Sequence, residues 1–260
     1  DYLIQYIQSI ETRTGYQLRD DEKAQLRAQY GLDLPMYARY FRWIRNILRG
    51  DLGRSFQLER PVGQILAERV PLTIIVSLAA IIFSWVVSIP IGILSAVRQY
   101  SFLDYFFTFF GFIGLDTPSF LLALVVMWIA FSRFNISAMG LFSSEFLDAS
   151  WSWARFVDLL KHLWLPMLII GMSGTAWLIR IMRGNLLDEL RKPYVITARA
   201  KGVTEGRLLL RYPVRVAINP LISTIGYVLP EVFSGSTLVA IVLNLQTVGP
   251  VLYNALLAQD

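Results

Sequence analysis

The chain has 260 residues, of which 55% are hydrophobic and 17% charged, with no cysteine, one histidine and a formal net charge of +5. An ordinary soluble domain is about 45–50% apolar and about 25% charged, so this composition points away from one. Without cysteine there is no disulfide scaffold, no thiolate zinc site and no cysteine nucleophile, and His162 alone cannot build a His-rich metal site. In chain order, Asp1–Glu11 and Asp20–Tyr30 read as two short helices around a break at Thr14–Gly15. Pro35 marks the start of a third, with Asp33 as its cap, and Gly50 marks its stop. In that third helix Tyr37, Phe41, Ile44 and Leu48 form one stripe and Arg39, Arg42, Arg45 and Arg49 another. It reads equally as a helix lying in a membrane interface and as one packed on the protein's own surface.

Apolar residues are then concentrated in runs. Pro71–Val97 holds no Asp, Glu, Lys or Arg, and about 20 apolar residues suffice to cross a bilayer core. Tyr105–Phe131 is a second run, interrupted by Asp116, and Leu163–Met182 a third, in which Arg180 can snorkel. From Val216 to Gln259 the sole ionisable acid or base is Glu231, and a fourth span fits there, ending near Leu243. The expected architecture is an all-α polytopic membrane bundle with spans at 71–97, 105–131, 163–182 and 216–243, preceded by an extracytoplasmic or interfacial segment over 1–70. Gly171, Gly174, Thr175 and Ala176 predict close helix packing in the third span. Trp151, Trp153 and Trp164 read as interface anchors.

Loop charge orients these spans. Residues 183–215 carry eight basic side chains against three acidic ones, an excess that belongs in the cytoplasm. The turn at Arg98–Asp104 then falls inside, while the Ser132–Lys161 loop and both ends of the chain fall outside. Within the basic loop Pro193 resets the backbone, Tyr194–Lys201 predicts a short helix rich in small residues, and Gly202 its C-cap. Thr204 and Glu205 begin another helix running to Arg211. Two short helices at a sharp angle make a knob, which is more structure than topology alone requires.

The stretch Tyr194-Val-Ile-Thr-Ala-Arg-Ala-Lys-Gly202, followed by Arg215–Pro220, resembles the cytoplasmic signature loop of inner-membrane permease subunits of ABC importers, most closely the dipeptide/oligopeptide/nickel branch. Gly31–Phe56, Pro61–Thr73, Thr117-Pro118-Ser119-Phe120 and the stretch from Gly235-Ser236 to Asp260 are similar to the same branch. Such permeases usually have six spans, so the resemblance implies a member lacking its first and last spans. Two positions depart from the pattern: Ile196 stands where the general family has an acidic loop residue, and Ala240 where the peptide branch often has glutamate. The resemblance implies a translocation path worked by alternating access, with Tyr194, Thr197, Ala198, Arg199, Ala200, Lys201, Gly202 and Glu205 coupling it to ATPases. The implied partners are a second homologous permease, two ABC ATPase subunits, a periplasmic or extracellular solute-binding protein and membrane lipid, in a bacterial or archaeal plasma membrane. The chain has no G-x-x-x-x-G-K-[ST] loop, so ATP is expected on the partners and no cofactor on this chain.

Asp116 and Glu231 lie within apolar runs, where an ionised group costs at least about 2.5–3.5 kcal/mol and therefore faces protein or water. They read either as lining the translocation path or as hydrogen-bonding partners of proline-loosened helices. Two other classes stand beside the permease. Gly171-Met172-Ser173-Gly174 resembles the motif of intramembrane serine proteases, for which His162 would have to reach Ser173. An ATP-independent transporter or channel would lack the signature loop. Nucleic-acid binding is not expected, because the spans partition the basic residues.

Overall fold

The computed structural model describes residues 7, 11, 15, 17, 19–29, 34–55, 57–134, 139–147, 149–223, 226, 236–258 and 260, with backbone alone at 26–29, 112–116 and 134. Nearly all regular structure is helical. Residues 1–70 with 251–260 form one compact unit and residues 71–250 another.

In the first unit, α1 (Asp20–Gln29) and α2 (Met36–Leu48) fall where the sequence places helices. Pro35 is the N-cap of α2 rather than its first helical residue, with extended backbone at φ −60° and ψ 153°. Asp33 lies outside the described residues. Gly50, at φ +83°, ends α2: its N–H donates to the Ile47 carbonyl at 2.9 Å, and the Asp51 N–H to Asn46 at 2.9 Å. That paired closure needs a left-handed residue, which glycine supplies without a Cβ penalty. A two-rung hairpin follows, β1 (Arg54–Ser55) against β2 (Arg60–Pro61), with Ser55 opposite Arg60. Asp260 accepts the Ser55 hydroxyl at 2.5 Å and the Gln57 N–H at 3.2 Å.

Helix α3 runs from Val62 to Val97, so Pro71 lies inside it and does not begin it. Its 36 residues rise about 54 Å, well beyond a hydrocarbon core of about 30 Å. Thr73, Ser77, Ser84, Ser88 and Ser95 recur on one face and are all buried, whereas Ile74, Leu78, Ile82 and Val86 are exposed. Buried hydroxyls beside the buried Leu72, Val76 and Ala80, with large aliphatics on the exposed face, suit a lipid surround.

The run at 105–131 is not one helix. It divides into α4 (Phe102–Asp116) and α5 (Ser119–Phe134), interrupted at Thr117–Pro118. Proline has no N–H for the preceding turn and pushes residue 117 out of helical backbone. The Pro118 carbonyl instead accepts from Leu121 and Leu122, which opens α5. A single 3₁₀ turn (Ser144–Phe146) leads to α6, which spans Trp153–Leu190. Helix α6 is longer at both ends than its apolar stretch of 163–182. The Ser152 hydroxyl caps it by accepting the Arg155 N–H, and Arg155, Asp158 and Lys161 ride on its first turns. The first eight residues of the basic segment likewise still belong to α6.

Beyond α6 come α7 (Pro193–Ala200), α8 (Glu205–Arg211), α9 (Pro213–Ser223), α10 (Thr237–Val242) and α11 (Val248–Ala258). The expected span at 216–243 is described at 216–223, 226 and 236–243: α10 begins after Ser236, and Glu231 lies outside the described residues. Among the described residues, α3 and α6 are the two helices long and apolar enough to cross a membrane.

Two cores join the long helices of residues 71–250. One joins Leu72, Val76 and Ala80 of α3 to Leu159, Leu163, Leu165, Ile169 and Ile170 of α6, with Leu141, Phe142, Val239, Ala240 and Leu243 over it. The other joins Leu178, Met182 and Leu186 of α6 to Val214, Ala217 and Leu221 of α9 and to Ala96 of α3. Between them α3 and α6 meet at Gly171, where an added Cβ would lie 2.6 Å from Phe83 Cδ1 and 2.9 Å from the Ala80 carbonyl. The Gly171 carbonyl accepts the hydroxyls of Ser84 at 2.6 Å and Thr175 at 2.7 Å. Close packing is thus expressed at Gly171, while a Cβ at Gly174 would make only ordinary contact. Gly92 of α3 makes a second tight approach, to Met182.

Candidate functional site

The loop between α6 and α9 folds as the two-helix knob that its sequence predicts. Pro193 occupies the first turn of α7, where a missing N–H costs nothing. Lys201 is the C-cap, and Gly202 follows at φ +78°. The Gly202 N–H donates to Arg199 at 3.0 Å and the Val203 N–H to Ala198 at 3.3 Å, the double closure of a Schellman turn. Thr204 then precedes α8. The knob has a core of its own, Val195, Ala198 and Leu208, with Val203 and Tyr212 against it.

That core divides the eight residues singled out for coupling. Ala198 is buried within the knob: it sits three positions after Val195, and both point inward. The Thr197 hydroxyl turns back onto the Pro193 carbonyl at 2.9 Å. Arg199 and Glu205 grip each other across the glycine turn, through Nε at 2.5 Å and a second guanidinium nitrogen at 3.1 Å. The hydrogen bond from Arg199 holds the Glu205 carboxyl below its ordinary value. Tyr194 donates its hydroxyl to Glu189 at 2.5 Å, and burial, then that hydrogen bond, push its phenol up to about 12. Ala200, Lys201 and Gly202 are exposed. So is Ile196, an apolar side chain on the outer face of the knob that the sequence reading did not select as a contact.

The knob is tied short to the bundle. Two residues, Arg191 and Lys192, link α7 to α6, and Tyr212 alone separates α8 from α9. Helices α6 and α9 share a buried core, and the Asn185 side chain donates to the Ala217 carbonyl at 3.3 Å. At the same end of α6, Arg183 makes a two-pronged pair with Asp104 of α4, with Nε and Nη2 both at 2.9 Å. Asp104 is 3% exposed and also accepts the Tyr100 N–H at 2.9 Å. Sequence reasoning counted these two only as loop charges. An acid at the edge of one apolar run and a base at the edge of another was the available signal. The knob end of α6 is thus in contact with both α9 and α4.

The opposite end of α6 is laced differently. Asp158 accepts both the N–H and the hydroxyl of Ser143 at 2.7 Å. Arg155 bonds the carbonyls of Ala149 and Leu147 and lies over the rings of Phe142 and Trp151. Trp151, Trp153 and Trp164 are exposed, as interface anchors would be.

The other candidates are not assembled. The backbone of Asp116 ends α4, its side chain is not described, and Glu231 lies outside the described residues. His162 Nδ1 faces the Asp158 carbonyl at 2.8 Å, and α6 continues unbroken through Pro166. His162 and Ser173 thus stay eleven residues apart on one helix, roughly 16 Å by helical rise, with no hydrogen bond between them.

Comparison with known proteins identifies the family. Residues 88–260 match the family described as "Binding-protein-dependent transport system inner membrane component". The chain is 35% identical over 222 residues to the oligopeptide transport system permease protein AppB of Bacillus subtilis, covering 84% of this chain and 68% of that protein. It is 34% identical over 236 residues to a putative peptide permease protein of Brucella suis, covering 90% and 72%. It is 33% identical over 252 residues to the inner membrane ABC transporter permease protein YejB of Escherichia coli O157:H7, covering 95% and 69%. With a lone-standing knob, membrane-length helices and matches of this extent, the chain belongs to the family of binding-protein-dependent transport system inner membrane components and is a transport permease subunit.

Proposed function

We propose that this permease forms part of a translocation path for peptides or similar small solutes and is driven through its α7–α8 knob by separate ABC ATPase subunits. One observation carries the reading: a self-contained knob with its own core, closed at Gly202 and locked by Arg199–Glu205, is joined by short links to α6 and α9. Its outer face offers Ile196, Ala200, Lys201 and the Tyr194 ring to a partner. ATP-driven closure of the ATPases moves the knob, α6 and α9 follow, and the path exchanges its open side. The partners are a second, homologous permease, two ATPases that bind the ATP, and a solute-binding protein on the outer side. The chain crosses a bacterial or archaeal plasma membrane several times, with the knob in the cytoplasm. The peptide assignment rests on the names of the similar proteins, AppB and the Brucella permease.

Gly202→Val tests the coupling. A β-branched residue held at φ +78° is strained by about 1–2 kcal/mol, roughly a 5- to 30-fold bias against the closed turn. Nothing lies within 4 Å of the added Cβ, so the effect is on backbone alone. Uptake per ATP hydrolysed is expected to fall in Gly202→Val and to be largely kept in Gly202→Asn, because asparagine tolerates this backbone. Normal uptake with normal stimulated ATPase in Gly202→Val would overturn the coupling role.

A further inference from the structure

No residue of helix α2 is buried, and its apolar face is largely exposed. At 100° per residue its side chains separate cleanly. Trp43, Met36, Ile47, Tyr40, Ile44, Tyr37, Leu48 and Phe41 occupy an arc of about 160°, and Arg45, Ala38, Arg42, Asn46 and Arg39 the remainder, with Arg49 just beyond the last turn. There is no acidic residue in the helix, and none of its residues is buried. Met36 and Leu48, at its two ends, are 80% and 81% exposed, and Tyr37 and Phe41 both 69%. No ion pair among the described residues engages any of the four arginines. The helix is nevertheless well specified, by Pro35 at one end and the Gly50 closure at the other.

We propose that α2 is a monotopic anchor that lies in the headgroup layer of an anionic membrane surface, its aromatic arc toward the acyl chains and its arginines on lipid phosphates. Of the two placements open to this sequence, packing on the protein's own surface would bury the apolar arc, whereas Ile44 and Ile47 are only half-buried and Met36, Tyr37, Tyr40, Phe41, Trp43 and Leu48 are exposed. Four arginines on one arc, with no acid to balance them, repel a second copy of the same helix and complement anionic headgroups. Trp43, Tyr37 and Tyr40 are the side chains that favour the boundary between chains and headgroups. A bilayer is within reach, because thirteen residues at most separate the end of α2 from α3, one of the two helices long and apolar enough to cross a membrane.

The absence of cysteine makes the test clean. Single cysteines at Phe41→Cys and Leu48→Cys on the apolar arc, and at Arg42→Cys and Arg45→Cys on the basic arc, are spin-labelled in the assembled transporter. The transporter is held in nanodiscs of phosphatidylcholine with about one quarter phosphatidylglycerol, and in phosphatidylcholine alone. In the anionic discs, labels at 41 and 48 should collide several-fold more with oxygen than with a water-soluble nickel chelate, and labels at 42 and 45 the reverse. In phosphatidylcholine alone, access of the chelate to the labels at 41 and 48 should rise at least about twofold, because the phosphate contacts of the arginines weaken. Shielding of 41 and 48 from both reagents would mean that protein covers the arc, and would overturn the proposal. Chelate access to 41 and 48 in the anionic discs, or identical behaviour in both lipids, would overturn it equally. None of these readouts depends on transport, so they stand apart from the coupling role of the knob.

Discussion

Replacing Asp104 with alanine should be among the most damaging single changes at the knob end of the bundle. Its carboxylate is 3% exposed and holds two guanidinium nitrogens of Arg183 at 2.9 Å each, so α4 and α6 are joined by a planar fork of charge-assisted bonds. It also holds the Tyr100 N–H at 2.9 Å, in a turn where Tyr100 stands at φ +62°. Alanine leaves Arg183 partly buried and unpaired and frees that strained turn. Breaking a buried pair from one side costs about 3–5 kcal/mol. The Arg183 side chain is 28% exposed and can regain some water, so about 3 kcal/mol is the expected loss. Reversible unfolding in mixed detergent micelles, on wild type, Asp104→Ala, Arg183→Ala and the double variant, measures it as a thermodynamic cycle. The coupling should be about 2–3 kcal/mol, the double variant costing far less than the two singles added together. Additivity to within about 0.5 kcal/mol would refute the view that this pair ties α4 to α6.

The α3–α6 contact and the Tyr194–Glu189 bond each have a measurable consequence. Gly171→Ala puts a methyl 2.6 Å from Phe83 Cδ1 and 2.9 Å from a backbone carbonyl, and should destabilise by about 1–3 kcal/mol in the same unfolding assay. Gly184→Ala on the same helix meets nothing within 4 Å and should be neutral or stabilising by up to about 1 kcal/mol, so equal effects at the two sites would contradict the α3–α6 contact. Tyr194 has a folded value raised from 10.0 to about 12, so its bond to Glu189 is complete below 10.0 and is lost as pH rises through about 12. The tyrosinate difference spectrum between wild type and Tyr194→Phe should therefore titrate near 12, and a midpoint near 10 would contradict the contact.

The knob was legible because its signals are local: Pro193 for a helix start, Gly202 for a left-handed stop, and Glu205 opening the next helix lie within a dozen residues. The long charge-free run made α3 legible for the same reason. What sequence left out depends on pairing at a distance. Asp104 and Arg183 are 79 positions apart, and each is unremarkable until α4 and α6 are set side by side. Gly92 gave no motif, and its role appears only against Met182. Helix boundaries were placed at the edges of apolar runs, whereas hydrogen bonding carries α3 and α6 on through charged turns such as Glu68 and Asp158. Composition likewise read 105–131 as continuous, but Pro118 divides it, because hydropathy does not register a missing N–H. Which side of α7 turns inward was not legible either, because the small core that buries Ala198 is completed by Leu208 of the next helix.

The central claim is that the knob touches an ATPase, and a photoreactive residue at Ile196 or Ala200 measures this directly. Trp128 of α5, also exposed, serves as the control position. With the assembled transporter in membranes, illumination should yield an adduct between this chain and the ATPase subunit from positions 196 and 200, changed in yield by ATP and absent from position 128. No ATPase adduct from either knob position, in a transporter that still takes up its cargo on ATP, would contradict the account.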